Sequence, residues 1–376
     1  IKEAIPDPTT AHMTCFNSTP LERTLAVRLG IPMYANDPDR RWLGGKNGSR
    51  AVLAAAGIPT PRAVTGLCDA DDIAKGLAQL REEDPALRRA VVKLDEGFSG
   101  EGNAMFDLSG APASGVGAWA LEKLMERLKP IARGMTAEQF VEKLRSMTGI
   151  VEAFIESDVK RSPSVQCRID PLGRVEAIST HEQVLSGSTG QVYEGCTFPA
   201  DAAYRRDLQE AGLRVAKELA TRGALGRFSV DFVSVPSATG WDHYALEINL
   251  RKGGTTLPSL VLQFLTDGSY DVGTGTYRSA LGSELCYYAS DNVQSDRYRG
   301  LLPEDVFDII VCDGLHFDQA RQTGTVFHII GAVSEYGKLG MVNIAGTPEE
   351  ARTLRNRTIT SLDRAVAPLG GSPGPG

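Results

Sequence analysis

Cysteine and histidine are too few and too scattered to build chemistry on. The six cysteines (Cys15, Cys68, Cys167, Cys196, Cys286 and Cys312) contain no CxxC and no paired spacing. That speaks against a disulfide framework, and free thiols in a reducing cytoplasm are the simplest account. The five histidines form no HExxH and no other zinc spacing, which excludes the common zinc enzymes. No apolar run approaches the roughly 18–20 residues of a membrane helix, so no membrane association is expected. Positive charge is also short, with Lys+Arg at 40 against Asp+Glu at 47 and a net charge of −7. Nucleic acid is thereby disfavoured as a partner, because phosphate backbones select basic patches. There is no GxxxxGK[ST], no nucleophilic Ser or Cys triad, no internal repeat and no coiled coil.

What is there is a chain of 376 residues, 42% hydrophobic and 23% charged, long enough for two or three globular domains. Its most informative stretch is Tyr244–Gly254. This reads as a strand with Leu246, Ile248 and Leu250 on one face and Glu247, Asn249 and Arg251 on the other. Side chains two apart on a strand point the same way, roughly 6–7 Å along the chain. A carboxylate, an amide oxygen and a guanidinium therefore stand in a row. Hard cations such as Mg²⁺ take oxygen ligands of this kind together with substrate phosphates. Upstream, Arg227–Val235 alternates in the same way with Phe228, Val230 and Phe232 apolar, and Pro236–Gly240 is a turn cluster. If the two runs form a hairpin, Asp231 falls opposite Ala245 or, with a shift of two, opposite Glu247. A slip of one residue would turn Asp231 onto the apolar face.

The rest of the chain reads as alternating elements. Ala11–Asn17 and Ile31–Ala35 are expected strands around the helix Leu21–Leu29, which is capped by Ser18 or Thr19 and stopped by Gly30. Lys46–Arg50 leads into a helix over Ala51–Ala56, and Asp69–Glu83 is an amphipathic helix. Ala90–Leu94 and Ala104–Leu108 are strands, Ala118–Leu128 and Thr136–Arg145 helices, and Ile150–Ile155 a strand. Ser164–Asp170 and Arg174–Ser179 form a hairpin. Gly187–Gly195 is a loop and Asp201–Arg222 a long helix. Beyond Pro258, Ser259–Leu265 is a helix, Leu302–Cys312, Thr325–Gly331 and Leu339–Ala345 are strands, and Pro348–Ala365 is a helix. The Pro/Gly/Ser-rich tail Gly370–Gly376 is expected to be disordered.

Two further stretches carry chemistry. Lys93 sits inside an apolar strand, and a buried Lys is rare unless paired. Gly97-x-x-Gly100-x-Gly102 follows it between two strands. Glycines let a backbone fold over phosphates and offer N–H groups to them, although a plain turn has the same composition. Arg168 lies on the face of its strand opposite Val165, Cys167 and Ile169, toward a cleft or toward solvent. His181 reads as a structural histidine.

In order along the chain, Lys46 before a helix, Lys93 with its Gly-rich loop, Val151-Glu152-Ala153-Phe154-Ile155, Asp231, and Glu247-x-Asn249-x-Arg251 resemble the ATP-grasp superfamily over Lys46 to Pro258. Within it, Lys46–Arg50, Val92–Asn103 and Glu247–Thr256 are similar to the peptide ligases of the pheganomycin-biosynthesis type, as is the region from about Leu302 to Ala365. The resemblance implies an α/β (α+β) ATP-grasp fold. It would comprise a truncated N-terminal pre-ATP-grasp α/β domain (1–45), the ATP-grasp domain (46–275, with a hinge near 152–158), a small C-terminal α/β domain (276–369) and the tail 370–376. It implies that Lys46 and Lys93 neutralise ATP phosphates under the loop that includes Gly97, Ser99, Gly100 and Gly102. Glu152, Ala153 and Ile155, with Phe154 beside them, match the adenine hinge. Glu156 and Asp158 are the ribose-binding candidates. Asp231 and Glu247 would hold one Mg²⁺ and Glu247 and Asn249 a second. Arg251 would bind the transferring phosphoryl group, Gly253–Thr256 would offer N–H groups to the same anions, and Arg168 is a possible second cation. Many ATP-grasp ligases carry an Asp before the first Lys; here Gly44 and Gly45 stand there.

The implied activity is ATP-dependent carboxylate–amine ligation through an acyl-phosphate. It would join a nonproteinogenic amino acid to the N-terminus of a peptide in antibiotic biosynthesis, in a cytoplasmic protein that could form a homodimer. A small-molecule kinase and a non-catalytic nucleotide-binding module are the rival readings.

Overall fold

The computed structural model describes residues 1–97, 102–186 and 192–366. Helix α1 (Pro20–Leu29) starts where Thr19 and Glu22 close a capping box, and it ends on Gly30 in the left-handed region at φ 74°, as those residue types favour. Helix α2 (Lys46–Ala55) is followed by β1 (Ala63–Leu67), α3 (Ala70–Glu83), β2 (Arg89–Leu94), β3 (Asn103–Asp107) and α4 (Val116–Arg127). Then come β4 (Leu128–Pro130), α5 (Ala137–Met147), β5 (Gly149–Ala153), β6 (Pro163–Ile169), β7 (Val175–Ser186) and β8 (Val192–Phe198). Helix α6 (Arg205–Thr221) leads into the hairpin β9 (Gly226–Ser237) and β10 (Gly240–Asn249). The remainder runs α7 (Thr256–Thr266), β11 (Ser269–Asp271), β12 (Thr276–Arg278), β13 (Glu284–Gln294), α8 (Pro303–Cys312), β14 (Gly324–His328), α9 (Val333–Tyr336), β15 (Lys338–Ala345) and α10 (Pro348–Ala365).

Contacts divide this chain into two units. The first comprises Ile1–Ile178, Leu185–Tyr193 and Asp207–Gly253; the second comprises Ser179–Val184, Glu194–Arg206 and Gly254–Gly376.

In the first unit a five-stranded antiparallel sheet has the order β1-β5-β2-β3-β4. One face is covered by α3, α4 and α5. Ile73, Leu77, Leu80, Leu124, Phe140 and Leu144 bury themselves there against Ala90, Val92, Leu94, Phe106 and Val151. Each aliphatic side chain fully withdrawn from water contributes about 1.5–3 kcal/mol. The strand alternation then turns Val91 and Lys93 of β2, and Ile150 and Glu152 of β5, to the other face. The second sheet region of this unit is β10-β9-β6, antiparallel throughout. Helix α6 lies on its apolar side so closely that a Cβ on Gly212 would meet Val165 and Cys167. Val165, Phe228, Val230, Phe232 and Ile248 are at most 1% exposed, which leaves the opposite face for polar groups.

In the second unit β13 pairs with β8 and β15, and β15 with β14. Helices α8 and α10 flank these strands, burying Val306 and Leu362 with Leu339 and Met341. His181 is fully buried here, with Nε2 2.7 Å from the Tyr287 hydroxyl. Burial pushes its pKa down from 6.5 to about 3.

Several expectations are corrected. Leu302–Cys312 is not a strand: Pro303–Cys312 is a helix, opened by Pro303 and by Asp305 accepting from the Leu302 N–H at 2.7 Å. Its β-branched composition imitates a strand, but the buried pair Val306 and Ile310 has helical spacing. Ala11–Asn17 and Ile31–Ala35 meet only in an isolated bridge, Met13 to Met33. Helix α2 starts at Lys46 rather than Ala51, and α6 at Arg205 rather than Asp201. Of the expected loop Gly187–Gly195, residues from Val192 onward belong to β8, and 187–191 lie outside the described residues, as does the tail 370–376. Strands β1, β4, β11, β12 and β13 have no counterpart in the sequence reading.

Two predictions follow from this packing. Phe106→Ala should lower the unfolding free energy by about 3–5 kcal/mol in denaturant titration, because Phe106 is fully buried against Trp119; a loss below about 1 kcal/mol would contradict the assigned core. For His181 the folded pKa lies below the unfolded one. Its stabilising contribution is therefore complete above pH 6.5 and is lost as the pH falls toward 3. The stability difference between the wild type and His181→Gln should be flat above pH 7 and should shrink by roughly 1.4 kcal/mol per pH unit between pH 6 and 4.

Candidate active site

The β9–β10 hairpin closes on a two-residue turn, with Ser237 opposite Gly240. Along its outer part Val233 faces Tyr244 and Phe232 faces Ala245; then the register shifts. Leu246 is the extra residue of a β-bulge. Beyond it Asp231 faces Glu247, Val230 faces Ile248 and Ser229 faces Asn249. Of the two registers the sequence allowed for Asp231, this is the one opposite Glu247. Ala245 and Ile248 turn inward as a consequence, and Asp231, Glu247 and Asn249 share the polar face. The Asn249 amide nitrogen donates to Asp231 Oδ2 at 2.9 Å and to Glu247 Oε1 at 3.2 Å. Its amide oxygen accepts from Arg251 Nη2 at 3.2 Å. The Arg251 guanidinium also donates to the Lys252 carbonyl at 2.9 Å and lies 5.8 Å from the centre of the Phe16 ring.

Lys46 is 8% exposed and its ammonium pairs with Glu247 Oε2. Burial would raise the Glu247 pKa, but Lys46, then Lys93 and the Asn249 amide, outweigh it and hold the carboxylate down at about 2. The start of α2 is fixed from outside the helix. Gly45 offers no capping side chain, and Asp95, two residues past Lys93, takes that role. Its carbonyl accepts from the Lys46 N–H at 3.1 Å, and its carboxylate accepts from the Asn47 N–H and side-chain amide, each at 2.7 Å. Ser49 Oγ in turn accepts from the Ile248 N–H at 3.1 Å, which ties α2 to β10. A side chain at Gly48 would collide with the Trp42 carbonyl, so only glycine permits this approach.

Lys93 is 5% exposed, which excludes a strand-end lysine reaching water. It pairs with Glu152, 3% exposed, whose other oxygen accepts from Arg50 Nη2 at 2.5 Å. The Glu152 carboxylate is thus occupied by two cations. Past β5, the Ala153 N–H donates to the Arg62 carbonyl at 2.8 Å and the Phe154 N–H to the Arg89 carbonyl at 3.1 Å. The Ile155 N–H bonds to no backbone carbonyl among the described residues. The Phe154 ring carries Arg89 at 4.2 Å and Lys160 at 4.0 Å. Glu156 is held by Arg89 through both oxygens, at 2.8 and 2.5 Å.

The Gly-rich loop has a tight neck. The Leu94 N–H donates to the Gly102 carbonyl at 2.8 Å, and a Cβ on Gly97 would lie 2.9 Å from the Gly102 Cα. Ser99 and Gly100 lie outside the described residues. Arg168 is on the polar face but stands opposite Arg227, four pairs along from Ser164 opposite Asp231, and its guanidinium is tied to Glu176 at 2.7–2.8 Å.

Two carboxylates and one amide, all within reach of a single point, form an oxygen donor set of the kind a hard divalent cation takes, with the Asn249 oxygen available by rotation of its amide. Among the described residues no group of three His, Cys, Asp or Glu side chains gathers as a softer metal would need. A cavity beside this set is lined by Asn17, Ser18, Asn36, Arg41, Lys46 and Arg251. Asp95, Arg50 and the Asn17–Ser18 pair escaped the sequence reading. The only signals were that Arg50 follows Lys46 at helical spacing and that Asp95 sits next to the glycines.

A family described as IQCH-like, ATP-grasp matches residues 40–129 and 121–273. The chain belongs to this ATP-grasp family. Residues 305–358 match a family described as PGM1 C-terminal domain. The L-propargylglycine–L-glutamate ligase of Streptantibioticus cattleyicolor is 28% identical over 358 residues, which cover 93% of this chain and 70% of that one. The IQ motif-containing protein H of Danio rerio is 22% identical over 390 residues, and the match covers 91% of this chain but 36% of that protein. Among solved structures, biotin carboxylase from Campylobacter jejuni superposes with a TM-score of 0.61 at 13% identity, covering 93% of this chain and 74% of that one. N5-carboxyaminoimidazole ribonucleotide synthetase from Thermus thermophilus superposes with a TM-score of 0.54 at 15% identity, covering 96% and 83%. These superpositions establish the mixed α+β ATP-grasp fold expected from the sequence.

Because Asp95 joins the start of α2 to the strand of Lys93, its loss should misplace Lys46 within this ATP-grasp site. Asp95→Ala should weaken ATP binding at least tenfold by calorimetry, while Asp95→Asn, which can still accept from Asn47, should keep most of the affinity. Equal affinities for both variants and the wild type would remove Asp95 from the site.

Proposed function

We propose that this ATP-grasp protein is an ATP-dependent carboxylate–amine ligase that forms an amide bond through an acyl-phosphate. The observation that carries this reading is the convergence of Asp231, Glu247 and Asn249 with Lys46 and Arg251 along the β9–β10 hairpin. The ligase from Streptantibioticus, which aligns with nearly the whole chain, supports the same class. By that likeness the substrates are an amino acid, proposed to be nonproteinogenic, and an amine that is the N-terminus of a peptide.

In the proposed reaction a carboxylate oxygen of one substrate attacks the γ-phosphorus of ATP and ADP leaves. The amine of the other substrate then attacks the acyl carbon, phosphate leaves, and a proton is lost from nitrogen. Asp231 and Glu247 would hold one Mg²⁺, and Glu247 and Asn249 a second. Bound there, the ions would supply the positive charge that phosphoryl oxygens need. The chain's own contribution is to position and to neutralise. Lys46 and Lys93 face the phosphates, each held by a carboxylate, Glu247 and Glu152, until an anion competes for it. Arg251 stabilises the oxyanions of the transferring group, and Arg168 is a second cation on the same polar face. The N–H of Ile155, beside Ala153 and Phe154, would meet adenine. The glycines 97, 100 and 102, with Ser99, would cover the phosphates. We assign nucleotide handling to residues 46–275 and leave 276–369 as a C-terminal domain. No described helix is long and apolar enough to cross a membrane, and all six cysteines are free thiols.

With ATP, Mg²⁺ and pools of amino acids and peptides, mass spectrometry should detect a new amide with ADP, released only when acid and amine are both present. Hydroxylamine should trap the acyl-phosphate. AMP with pyrophosphate, or a stable phosphate ester of a hydroxyl substrate, would overturn the proposal; the ester would mark a kinase. Glu247→Gln and Arg251→Met should each lower kcat about 100-fold or more.

A further inference from the structure

The second unit contains a cavity of about 340 Å³, within the range of small-ligand sites, that shares no residue with the constellation above. Its floor is β13, which contributes Tyr288 and Ser290, and Ser290 Oγ donates to the Glu194 carbonyl of β8 at 2.5 Å. Its wall is α10, where Arg355 and Asp363 stand eight residues apart on one helical face. The charges on this wall differ in kind. Asp363 is satisfied, accepting from Arg297 Nη2 at 2.7 Å and from the Tyr298 hydroxyl at 2.9 Å. Arg355 is not: its guanidinium lies over the Tyr288 ring at 5.0 Å, and Nη1 donates to Asn356 at 3.1 Å. Its Nε is buried without a hydrogen-bond partner. Among the described residues neither Arg355 nor Glu194, both lining the cavity, joins an ion pair with the other or with anything else.

A guanidinium seated over an aromatic ring is partly ordered in advance for a carboxylate, and leaving its Nε buried and unmatched is costly. A lone carboxylate lining the same cavity calls for a cation. We propose that this cavity binds a zwitterion, an α-amino acid or a short peptide, with its carboxylate on Arg355 and its ammonium on Glu194. The site is a binding site in its own right and does not depend on the ligase reading.

The test measures binding by calorimetry on the full chain without ATP, in an Arg251→Met background so that binding at the nucleotide site does not contribute. The probes are L-alanine, L-glutamate and alanyl-alanine, with N-acetyl-alanine and alanine amide as singly charged controls. Saturable binding of a zwitterion, at least tenfold tighter than both controls, is expected. Preference for the free amino acids or for the dipeptide identifies the source. Arg355→Met should erase the advantage over alanine amide, and Glu194→Gln the advantage over N-acetyl-alanine. Arg355→Lys keeps the charge without the fork and should fall between, which serves as the check should the Met variant unfold. Absence of saturable binding, or unchanged affinities in Glu194→Gln and Arg355→Lys, overturns the proposal. Failure of the ADP-release assay alone leaves it standing.

Discussion

One extra residue in one strand decides what the polar face of this protein can do. Without the bulge at Leu246 the outer register of the hairpin would continue, and Asp231 would stand opposite Leu246 instead of Glu247. Continued inward, that outer register would also set Val230 opposite Glu247, so an acid would share the apolar row. The bulge lets Phe232 meet Ala245 in the core and Asp231 meet Glu247 on the polar side a residue later. The Asn249 amide between the carboxylates is the local consequence.

Grouping charges in this way is expensive. Buried ions lose hydration that only well-placed partners restore, and the protein restores it in pairs. Glu247 has Lys46, while Glu152 has Lys93 and Arg50. Each cation is thereby oriented and desolvated in advance, as the phosphate role proposed for Lys46 and Lys93 requires. Glu152 is carried inside the sheet, where its backbone is fixed by β1 and β2 on either side. A carboxylate fixed at that point sets where the Lys93 ammonium stands.

The legible part of the molecule is the part governed by short-range periodicity. The alternation in Phe228–Phe232, the Thr19–Glu22 capping pair and Gly30 are local signals, and each element formed where its residues call for it. That Asp231, Glu247 and Asn249 share a polar face followed from alternation and hairpin matching, and Lys93 stood out as a lysine inside an apolar strand; the resemblance added Lys46 and the order of the pieces. What was not readable depends on partners distant in sequence. Helix α2 starts five residues early because a cap 49 residues away at Asp95 satisfies its first N–H groups, where Gly44 and Gly45 announced no cap. Helix α8 was read as a strand on the run Ile309-Ile310-Val311 although Pro303 and Asp305 mark a helix start, and packing on Leu339 and Met341 shows which pair faces inward.

Asp95 also answers the question that Gly44 and Gly45 pose. An acid before the first lysine would hold that lysine through its own helix. Here the acid sits on the chain that has just delivered Lys93 and is about to enter the glycine loop. A Cβ on Gly45 would run into the Asp95 carboxylate, so the missing side chain and the distant acid require one another. The two lysines are consequently positioned by a single backbone segment rather than by two independent supports. Leu94, the residue between Lys93 and Asp95, donates its N–H to the Gly102 carbonyl and so closes the loop neck on that same segment.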